Sequence, residues 1–397
     1  MFDFIRPDPD NVYIQARDAM KNKLPSILKN RRSACIAAAA ATSVFCITIA
    51  AYLFFCTPRD EIIIGFAGSI SGKDYMLGVD GRNAIELFIN DINRKGGICG
   101  KKLRLITKDF KSNPENIIPC DRELINENAS VIIGHLTSDS VEKALRFINS
   151  EKIVLISPTA TSESLSGKDD YFFRTIMSSK SDPEYLGKIM QKAGIRRIVI
   201  FSTAHNKSYT ETYTTRMKGM FSVIKEISYD EISKIDFSAI PLISTDGIVI
   251  IGSSIDSGTI AQELRIRGIR KPLYMSGWAA DDDLIQYGGI AVDGAVFVHQ
   301  INSRLPQIAV FSDEYKKIYG MNPSFAAIEA YDSMILVKTV MERYGTGRNS
   351  FYEEIKKIRS FDSISGTIRL NSTGDAERPV YIKKVINGKI EVIGMAE

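Results

Sequence analysis

Three short segments rich in serine, threonine and glycine contain the residues best suited to binding a small anion. They are residues 69–75, 135–138 and 157–162, and each follows an apolar run typical of a buried strand. Hydroxyl groups and closely approaching backbone N–H groups can hold a carboxylate where a helix begins. The alternative is that these hydroxyls only cap helices. Three such segments at one edge of a sheet favour a binding site.

The residue combinations that common enzymes need are absent from the sequence. It contains no nucleophile elbow, no P-loop and no dinucleotide-binding glycine spacing. The three histidines, His135, His205 and His299, are scattered, and no cluster has the spacing of a metal site. The sequence therefore predicts a protein that is not an enzyme and that has neither a metal nor another cofactor.

Alternating strand-like and helix-like segments must position the three polar segments. In the first half of the chain after residue 60, strands are expected at 61–67, 103–109, 131–134 and 153–157. The helices between them are expected at 80–93, from Pro114 onwards, and at 138–149. Short apolar strands that alternate with helices are typical of a parallel sheet covered by helices on both faces. The carboxyl ends of such strands share one edge, which brings the polar segments together.

The alternation restarts after a break near residues 175–181, which predicts an α/β fold with a second lobe. Further strands are expected at 197–201, 247–252, 272–276, 366–371 and 380–386, the last with a turn at Asn387 and Gly388. Further helices are expected at 209–223, 258–267, 309–319 and 325–344.

Residues 34–56 carry no charged side chain and are long enough to cross a membrane. At about 1.5 Å per residue they span roughly 34 Å, against a hydrocarbon core of about 30 Å. A basic cluster precedes them, at Lys21, Lys23, Lys29, Arg31 and Arg32. Because positive flanks stay in the cytoplasm, residues 1–33 are predicted to be cytoplasmic and the rest extracytoplasmic. The expected topology is a single-pass, uncleaved signal anchor.

A cleaved signal peptide and a lipoprotein signal with Cys56 as the lipidated residue are the alternatives. Bulky Phe54 and Phe55 stand where a cleavage site needs small residues, which disfavours both. Outside the membrane, Cys99 and Cys120 could pair in an oxidising compartment. They are expected in different elements and too far apart, and their pairing is left open.

The charge balance makes nucleic acid an unexpected partner. The 397 residues carry 51 basic and 47 acidic side chains, for a net charge of +4. Part of this excess lies in the basic cluster before residue 34. The remainder has no electrostatic footprint for a phosphate backbone.

A family resemblance rests on several motifs in order. The string Gly-Gly-Ile-Cys-Gly-Lys-Lys-Leu at 96–103 follows a helix that carries Ile-Asn-Asp-Ile-Asn at 89–93. Together they resemble the D-I-N-x-x-G-G-I-x-G-x-x-L signature of leucine/isoleucine/valine-binding proteins, the type I periplasmic solute-binding proteins of ABC transporters. Further matches are Ile-Gly-His-Leu at 133–136, Ile-Ser-Pro-Thr-Ala-Thr at 156–161 and Tyr-Met-Ser-Gly-Trp at 274–278. The resemblance covers roughly residues 60–393.

The resemblance implies two discontinuous lobes joined by three crossover strands. Lobe 1 would comprise about 60–178 and 300–365, and lobe 2 about 179–299 and 366–393. In such proteins the ligand lies between the lobes, and closure around it is the expected mechanism.

The resemblance also implies the site residues. The loops that contain Thr137-Ser138 and Ala160-Thr161 would hold the ligand's carboxylate and amino group, and Tyr209 would contribute an aromatic ring from the second lobe. The acid that faces the amino group in branched-chain proteins falls near Trp278, where no acid stands. Either Asp281 substitutes for it, or the ligand is not a plain aliphatic amino acid. Tyr209 and Trp278 are candidate pocket residues, with ordinary core packing as the alternative.

The function implied is a membrane-anchored extracytoplasmic solute-binding protein. It would capture an amino acid or related small polar solute for an ABC permease. The alternative is a ligand-sensing receptor domain that signals through a separate partner protein.

Overall fold

The computed structural model describes residues 61–72 and 75–396. The predicted span at 34–56 and the cytoplasmic tail lie outside the described residues. Within the described part of the chain, none of the helices combines the length and the apolar character needed to cross a membrane.

The first lobe is built on a five-stranded parallel sheet. Its strands lie in the order β2-β1-β3-β4-β5. Their bounds are β1 Ile62–Gly68, β2 Leu103–Asp109, β3 Val131–Gly134, β4 Leu155–Ser157 and β5 Phe172–Arg174. Alternate residues of β3 enter opposite cores, since Val131 and Ile133 pack on one face and Ile132 on the other. The predicted parallel sheet with helices on both faces is confirmed.

Six helices belong to this first lobe. They are α1 Tyr75–Arg94, α2 Ile117–Asn126, α3 Ser138–Glu151, α8 Pro306–Tyr319, α9 Phe325–Tyr344 and α10 Phe351–Ile355. The helices α1, α8, α9 and α10 cover one face of the sheet, and α2 and α3 cover the other. The central helix α9 is buried on most sides, which explains why most of its residues are apolar.

The second lobe is built on a seven-stranded mixed sheet. The order is β15-β14-β10-β9-β8-β6-β7, and β14 and β15 are antiparallel to their neighbours. The strand bounds are β6 Arg197–Thr203, β7 Ser222–Tyr229, β8 Gly247–Ile251, β9 Leu273–Met275, β10 Val296–His299, β14 Tyr381–Ile386 and β15 Lys389–Met395. Four helices cover its two faces: α4 Asp182–Lys192, α5 Lys207–Met220, α6 Ser254–Ile266 and α7 Asp282–Gly288.

The helix predicted at 209–223 is too long at its C-terminus. It ends at Met220, and Ser222–Tyr229 forms β7 at the edge of the sheet. An edge strand has a partner on one side only and is half-buried, so its polar residues obscured the strand pattern. The strand β10 was also missed.

A small antiparallel sheet joins the C-terminal part to the first lobe. Its strands are β11 Ser360–Ser363, β12 Gly366–Leu370 and β13 Ala376–Glu377. Ile368 and Leu370 belong to the core of the first lobe, although residues 366–393 were expected in the second. We therefore propose that the lobe boundary falls near residue 378 rather than at 366.

The chain passes between the two lobes three times. The connecting segments are residues 175–181, 300–305 and 378–380. Neither Cys99 nor Cys120 forms a disulfide.

Gly78 allows helix α1 to approach the loop after β1. A Cβ atom at position 78 would lie 1.8 Å from the backbone oxygen of Ser69, whereas one at Gly219 in α5 would meet nothing within 4 Å. We expect Gly78→Ala to lower the free energy of unfolding by about 1–3 kcal/mol, because the backbone must shift. Gly219→Ala should be neutral or stabilising by up to about 1 kcal/mol. Chemical denaturation measures both, and equal stabilities of the two variants would contradict this close approach.

Candidate functional site

A cavity lies between the carboxyl ends of the parallel strands of the two sheets. It encloses about 40 Å³ and receives side chains from both lobes and from the segments that connect them. The lining residues are Leu77, Leu136, Thr159, Thr161, Ile176, Asp182, Asn206, Tyr209, Gly277, Trp278, His299, Gln300 and Phe325. Below, this space is called the cleft cavity. Three of the six residues expected to bind ligand, Thr161, Tyr209 and Trp278, come together there.

Two hydroxyl groups join the loop after β3 to the loop after β4. The Ser157 hydroxyl donates to the backbone oxygen of His135 at 2.6 Å and accepts from the Ala160 N–H at 3.1 Å. The Thr159 hydroxyl donates to the backbone oxygen of Leu136 at 2.6 Å. The Thr161 side chain therefore projects from a loop fixed at several points.

Ser138 and Ala160 support this loop and do not line the cleft cavity. The Ser138 hydroxyl accepts from the Ser162 N–H at 3.0 Å, and the Ala160 backbone oxygen accepts from buried Arg174 at 3.2 Å. Arg174 is in turn paired with Asp375, its Nε lying 2.9 Å from the Asp375 carboxylate. The hydroxyl of Ser138 is thus engaged in joining two loops.

Thr137 lines an adjoining cavity of about 180 Å³. Its hydroxyl lies 2.7 Å from that of Ser140, in the first turn of α3. The adjoining cavity shares three lining residues with the cleft cavity, Leu77, Leu136 and Asn206. Thr137 therefore lies beside the cleft cavity rather than in its wall.

Two aromatic rings of the second lobe form one wall of the cleft cavity. The rings of Tyr209 and Trp278 meet edge to face, with centroids 5.9 Å apart. Burial raises the pKa of Tyr209. Tyr209 is therefore a neutral phenol. Trp278 is half-buried, so a change in the cleft alters its surroundings.

His299, at the end of β10, contributes a neutral imidazole. Its Nδ1 accepts from the Ile301 N–H at 3.1 Å, which leaves Nε2 as the protonated nitrogen of the neutral ring. Burial, with Lys383 and Arg378 as nearby positive charges, lowers its pKa well below the usual value. His299 lies on the strand β10, which the sequence patterns did not show.

Asp182 is the lining residue that sequence reasoning missed most clearly. It is the first residue of α4, is 6% exposed, and its Oδ1 has no hydrogen-bond partner. Burial raises its pKa to about 7. In the sequence, an acid before proline at the start of a helix looks like an ordinary first-turn residue. Nothing in the local pattern indicates that this carboxyl group is buried.

Asp281, which could have substituted for the missing acid near Trp278, does not line the cleft cavity. It lines a third cavity of about 70 Å³ beside Trp278. Its carboxylate accepts from the Asp283 N–H at 3.1 Å and so caps helix α7. Burial raises its pKa to about 7.

The lobes contact each other directly at the rim of the cleft. The Asp139 carboxylate, at the start of α3 in the first lobe, accepts from the backbone N–H groups of Lys207 and Ser208, both at 2.8 Å. In return, the Asn206 side-chain oxygen accepts from the Asp139 N–H at 3.3 Å. The N-terminus of α5 is therefore capped from the opposite lobe. This reciprocal contact is called the cross-cleft cap.

Comparison with known proteins identifies the type of chain. The sequence pattern of the family described as "Periplasmic binding protein" matches residues 61–389. A relative named "Leu/Ile/Val-binding protein homolog 3" from Brucella melitensis is 20% identical, over 83% of this chain and 93% of its own length. The Leu/Ile/Val-binding protein of Escherichia coli is 29% identical over 36% of this chain. That match spans only 39% of the length of the E. coli protein.

Solved structures show the same two-lobed fold. A branched-chain amino acid transporter substrate-binding protein from Streptococcus pneumoniae, in complex with isoleucine, superposes with a TM-score of 0.77 at 22% identity. The match covers 85% of this chain and 99% of that one. An ABC-transporter solute-binding protein from R. palustris, in complex with benzoate, gives a TM-score of 0.76 at 20% identity, over 85% and 96% of the two chains. Structures of this fold thus hold ligands with and without an amino group.

Proposed function

The chain belongs to the periplasmic binding protein family, and from that premise we propose that it captures a small amino acid-like solute between its two lobes. The observation that carries the proposal is the cleft cavity. Thr161 from the first lobe lines the same half-open cavity as Tyr209 and Trp278 from the second. A ligand that contacts both walls stabilises the closed arrangement, because those contacts exist together only when the lobes are near.

The walls of the cleft cavity suit a small molecule with a polar end and an apolar body. The Thr161 hydroxyl and the His299 N–H can donate hydrogen bonds to a carboxylate. Leu77, Ile176 and Phe325 can contact an apolar side chain. Relatives named for leucine, isoleucine and valine agree with an amino acid.

We assign the expected site residues to two roles. Thr161, Tyr209 and Trp278 would contact the ligand directly. The second role is indirect: Thr137, Ser138 and Ala160 would hold in place the loops that carry Thr161 and form the edge of the cavity. This division follows the hydrogen bonds that already occupy the second group.

We further propose that the protein delivers its solute to an ABC permease while tethered by residues 34–56. A tether raises the effective concentration of the binding domain at the membrane, so each captured molecule needs less time to meet the transporter. The binding domain would then lie on the extracytoplasmic side.

Ligand binding should be visible through Trp278, the single tryptophan of the chain. A bound amino acid at about 100 times its Kd should stabilise the protein by roughly 2.7 kcal/mol. It should also change the tryptophan emission, because the half-buried indole lines the cleft cavity. Thermal-shift screening of amino acids, followed by fluorescence titration of those that stabilise, measures both effects. No stabilisation by any amino acid or related amide would argue against this function.

The cross-cleft cap should favour the closed arrangement. Asp139→Ala removes two charge-assisted hydrogen bonds between the lobes, each worth about 1.5–3 kcal/mol. We expect a larger radius of gyration by small-angle scattering and at least tenfold weaker ligand binding. The matched control is Asp169→Ala, whose carboxylate pairs with Lys356 within the first lobe at 2.7 Å. Equal radii and affinities in the two variants would show that the cap does not influence closure.

The proposed tether predicts a defined topology. In cells whose outer barrier has been removed, protease should digest the part of the chain beyond residue 58 and leave a tag at residue 5 intact. The physical reason is the basic cluster that precedes residues 34–56 and keeps residues 1–33 in the cytoplasm. Immunoblotting for the two parts measures this. A mature N-terminus near Thr57 would show that the segment is cleaved instead.

A further inference from the structure

We propose that the carboxylate of Asp182 binds the positively charged amino group of the ligand. The inference rests on the proposed function and deepens it, since it names the chemical group that the solute must carry. The class of solute is then one with an alkylammonium group, either an amino acid or a simple amine.

The position of Asp182 leaves its carboxylate available to a ligand. The side chain is 6% exposed and lines the cleft cavity, and its Oδ1 lacks a hydrogen-bond partner. A carboxylate buried in this way is unfavourable unless a cation or hydrogen-bond donors compensate for the lost hydration. A ligand that brings an ammonium group supplies both.

The charges around the cleft cavity leave Asp182 uncompensated. The residues that line the cavity include neither lysine nor arginine, and His299 is neutral. The ionisable groups that interact with Asp182 are Tyr209, Tyr213 and Glu329, and burial raises the pKa of each. A phenol or a carboxyl group carries no positive charge, so none of the three can take the place of a cation.

The aromatic walls add to the attraction for a cation. The rings of Tyr209, Trp278 and Phe325 line the same cavity as Asp182. Aromatic faces attract ammonium groups, and more strongly when both are removed from water. A carboxylate with several rings beside it is a suitable environment for an amine.

A structural role at the start of α4 does not account for Asp182. A first-turn acid interacts favourably with the helix dipole, but Glu184 occupies the same turn and is accessible to solvent. A capping acid would accept from a backbone N–H group, and Oδ1 of Asp182 accepts from none among the described residues. Glu184 pairs with Arg216 at 3.3 Å and offers a matched control on the same helix.

The first experiment uses the unmodified protein and ligands matched in shape. Calorimetry at pH 7.5 compares L-leucine with 4-methylpentanoate, which lacks the amino group, and with isopentylamine, which lacks the carboxylate. L-phenylalanine, 3-phenylpropanoate and phenethylamine form a second set. We expect loss of the amino group to weaken binding by at least about 30-fold, as expected for an unpaired buried charge. The amine arm decides between an amino acid and a simple amine.

The second experiment removes the charge while keeping the shape. Asp182→Asn should weaken binding of the ammonium ligand by at least about 30-fold and strengthen binding of the matched carboxylic acid. Glu184→Gln should leave both affinities unchanged. Circular dichroism and thermal unfolding of the free variants confirm that each is folded.

The pH dependence gives a readout that a structural role would not produce. Since burial raises the pKa of Asp182 to about 7, the ligand must displace a proton below that pH. Affinity should then fall up to tenfold for each pH unit between about 6.5 and 5.5. Asp281, with a pKa raised to about 7, and Lys383, with a pKa lowered to about 8, also titrate nearby, and both remain in the Asp182→Asn variant. If the pH dependence of the affinity comes from Asp182, it should be present in the wild type and in Glu184→Gln and absent from Asp182→Asn.

The outcomes separate this inference from the proposed function. Equal affinity of the wild type and Asp182→Asn for an amino acid would overturn the role of Asp182 and leave solute binding intact. Tighter binding of 4-methylpentanoate or 3-phenylpropanoate than of the matched amino acid would also overturn the role of Asp182 and leave solute binding intact. If no ligand of either set and no other amino acid binds, the proposed function fails, and the inference fails with it.

Discussion

The parallel strands of both sheets have their carboxyl ends at the same cleft, and this constraint determines where most of the candidate site residues lie. Loops that follow β3 and β4 reach the cleft from one side, and those that follow β6 and β9 reach it from the other. Helix N-termini with unpaired N–H groups lie at the same edges. In this protein the N-terminus of α5 is satisfied by Asp139 from the opposite lobe. Contact between the lobes therefore provides acceptors for the N–H groups at the start of α5 and also forms the cleft cavity.

Most hydroxyl groups at the cleft are already used by the scaffold. Ser157, Thr159 and Ser138 join the loops after β3 and β4 through bonds of 2.6–3.1 Å. Capping and loop bracing, the alternative considered for these serine- and threonine-rich segments, thus explains much of their composition. A ligand-binding role remains the hypothesis for Thr161, because a loop braced in this way holds a side chain in a fixed place. Structural bracing and ligand binding are thus assigned to different residues of the same segments.

Local pattern predicted the regular elements well and the chemistry of the cleft poorly. The strand Val131–Gly134 and the helix Phe325–Tyr344 have the predicted bounds, because both are buried and strongly apolar. The first two residues of the edge strand Ser222–Tyr229 fall in the helix predicted at 209–223, and the rest of the strand was not predicted, since its exposed face is polar. Asp182 was missed because its burial depends on residues distant in the sequence, which no local pattern encodes. Trp278 was found only through the family resemblance, and the same resemblance directed attention to Asp281 rather than Asp182.

The segments that connect the lobes are held together by side chains that bond to backbone. The Gln300 amide accepts from the Met177 N–H at 2.7 Å and donates to the Met177 oxygen at 3.3 Å, which joins the first and second connections. Arg378 donates to the Thr175 oxygen at 3.1 Å, which joins the third connection to the first. These bonds join the three segments to one another, so a rotation of one lobe relative to the other would move them together. Asp182 follows the first connection directly and Gln300 begins the second, and both line the cleft cavity. A ligand in the cavity would therefore contact the connecting segments as well as the lobes, and on the proposed function occupancy of the site would be coupled to the angle between the lobes through these residues.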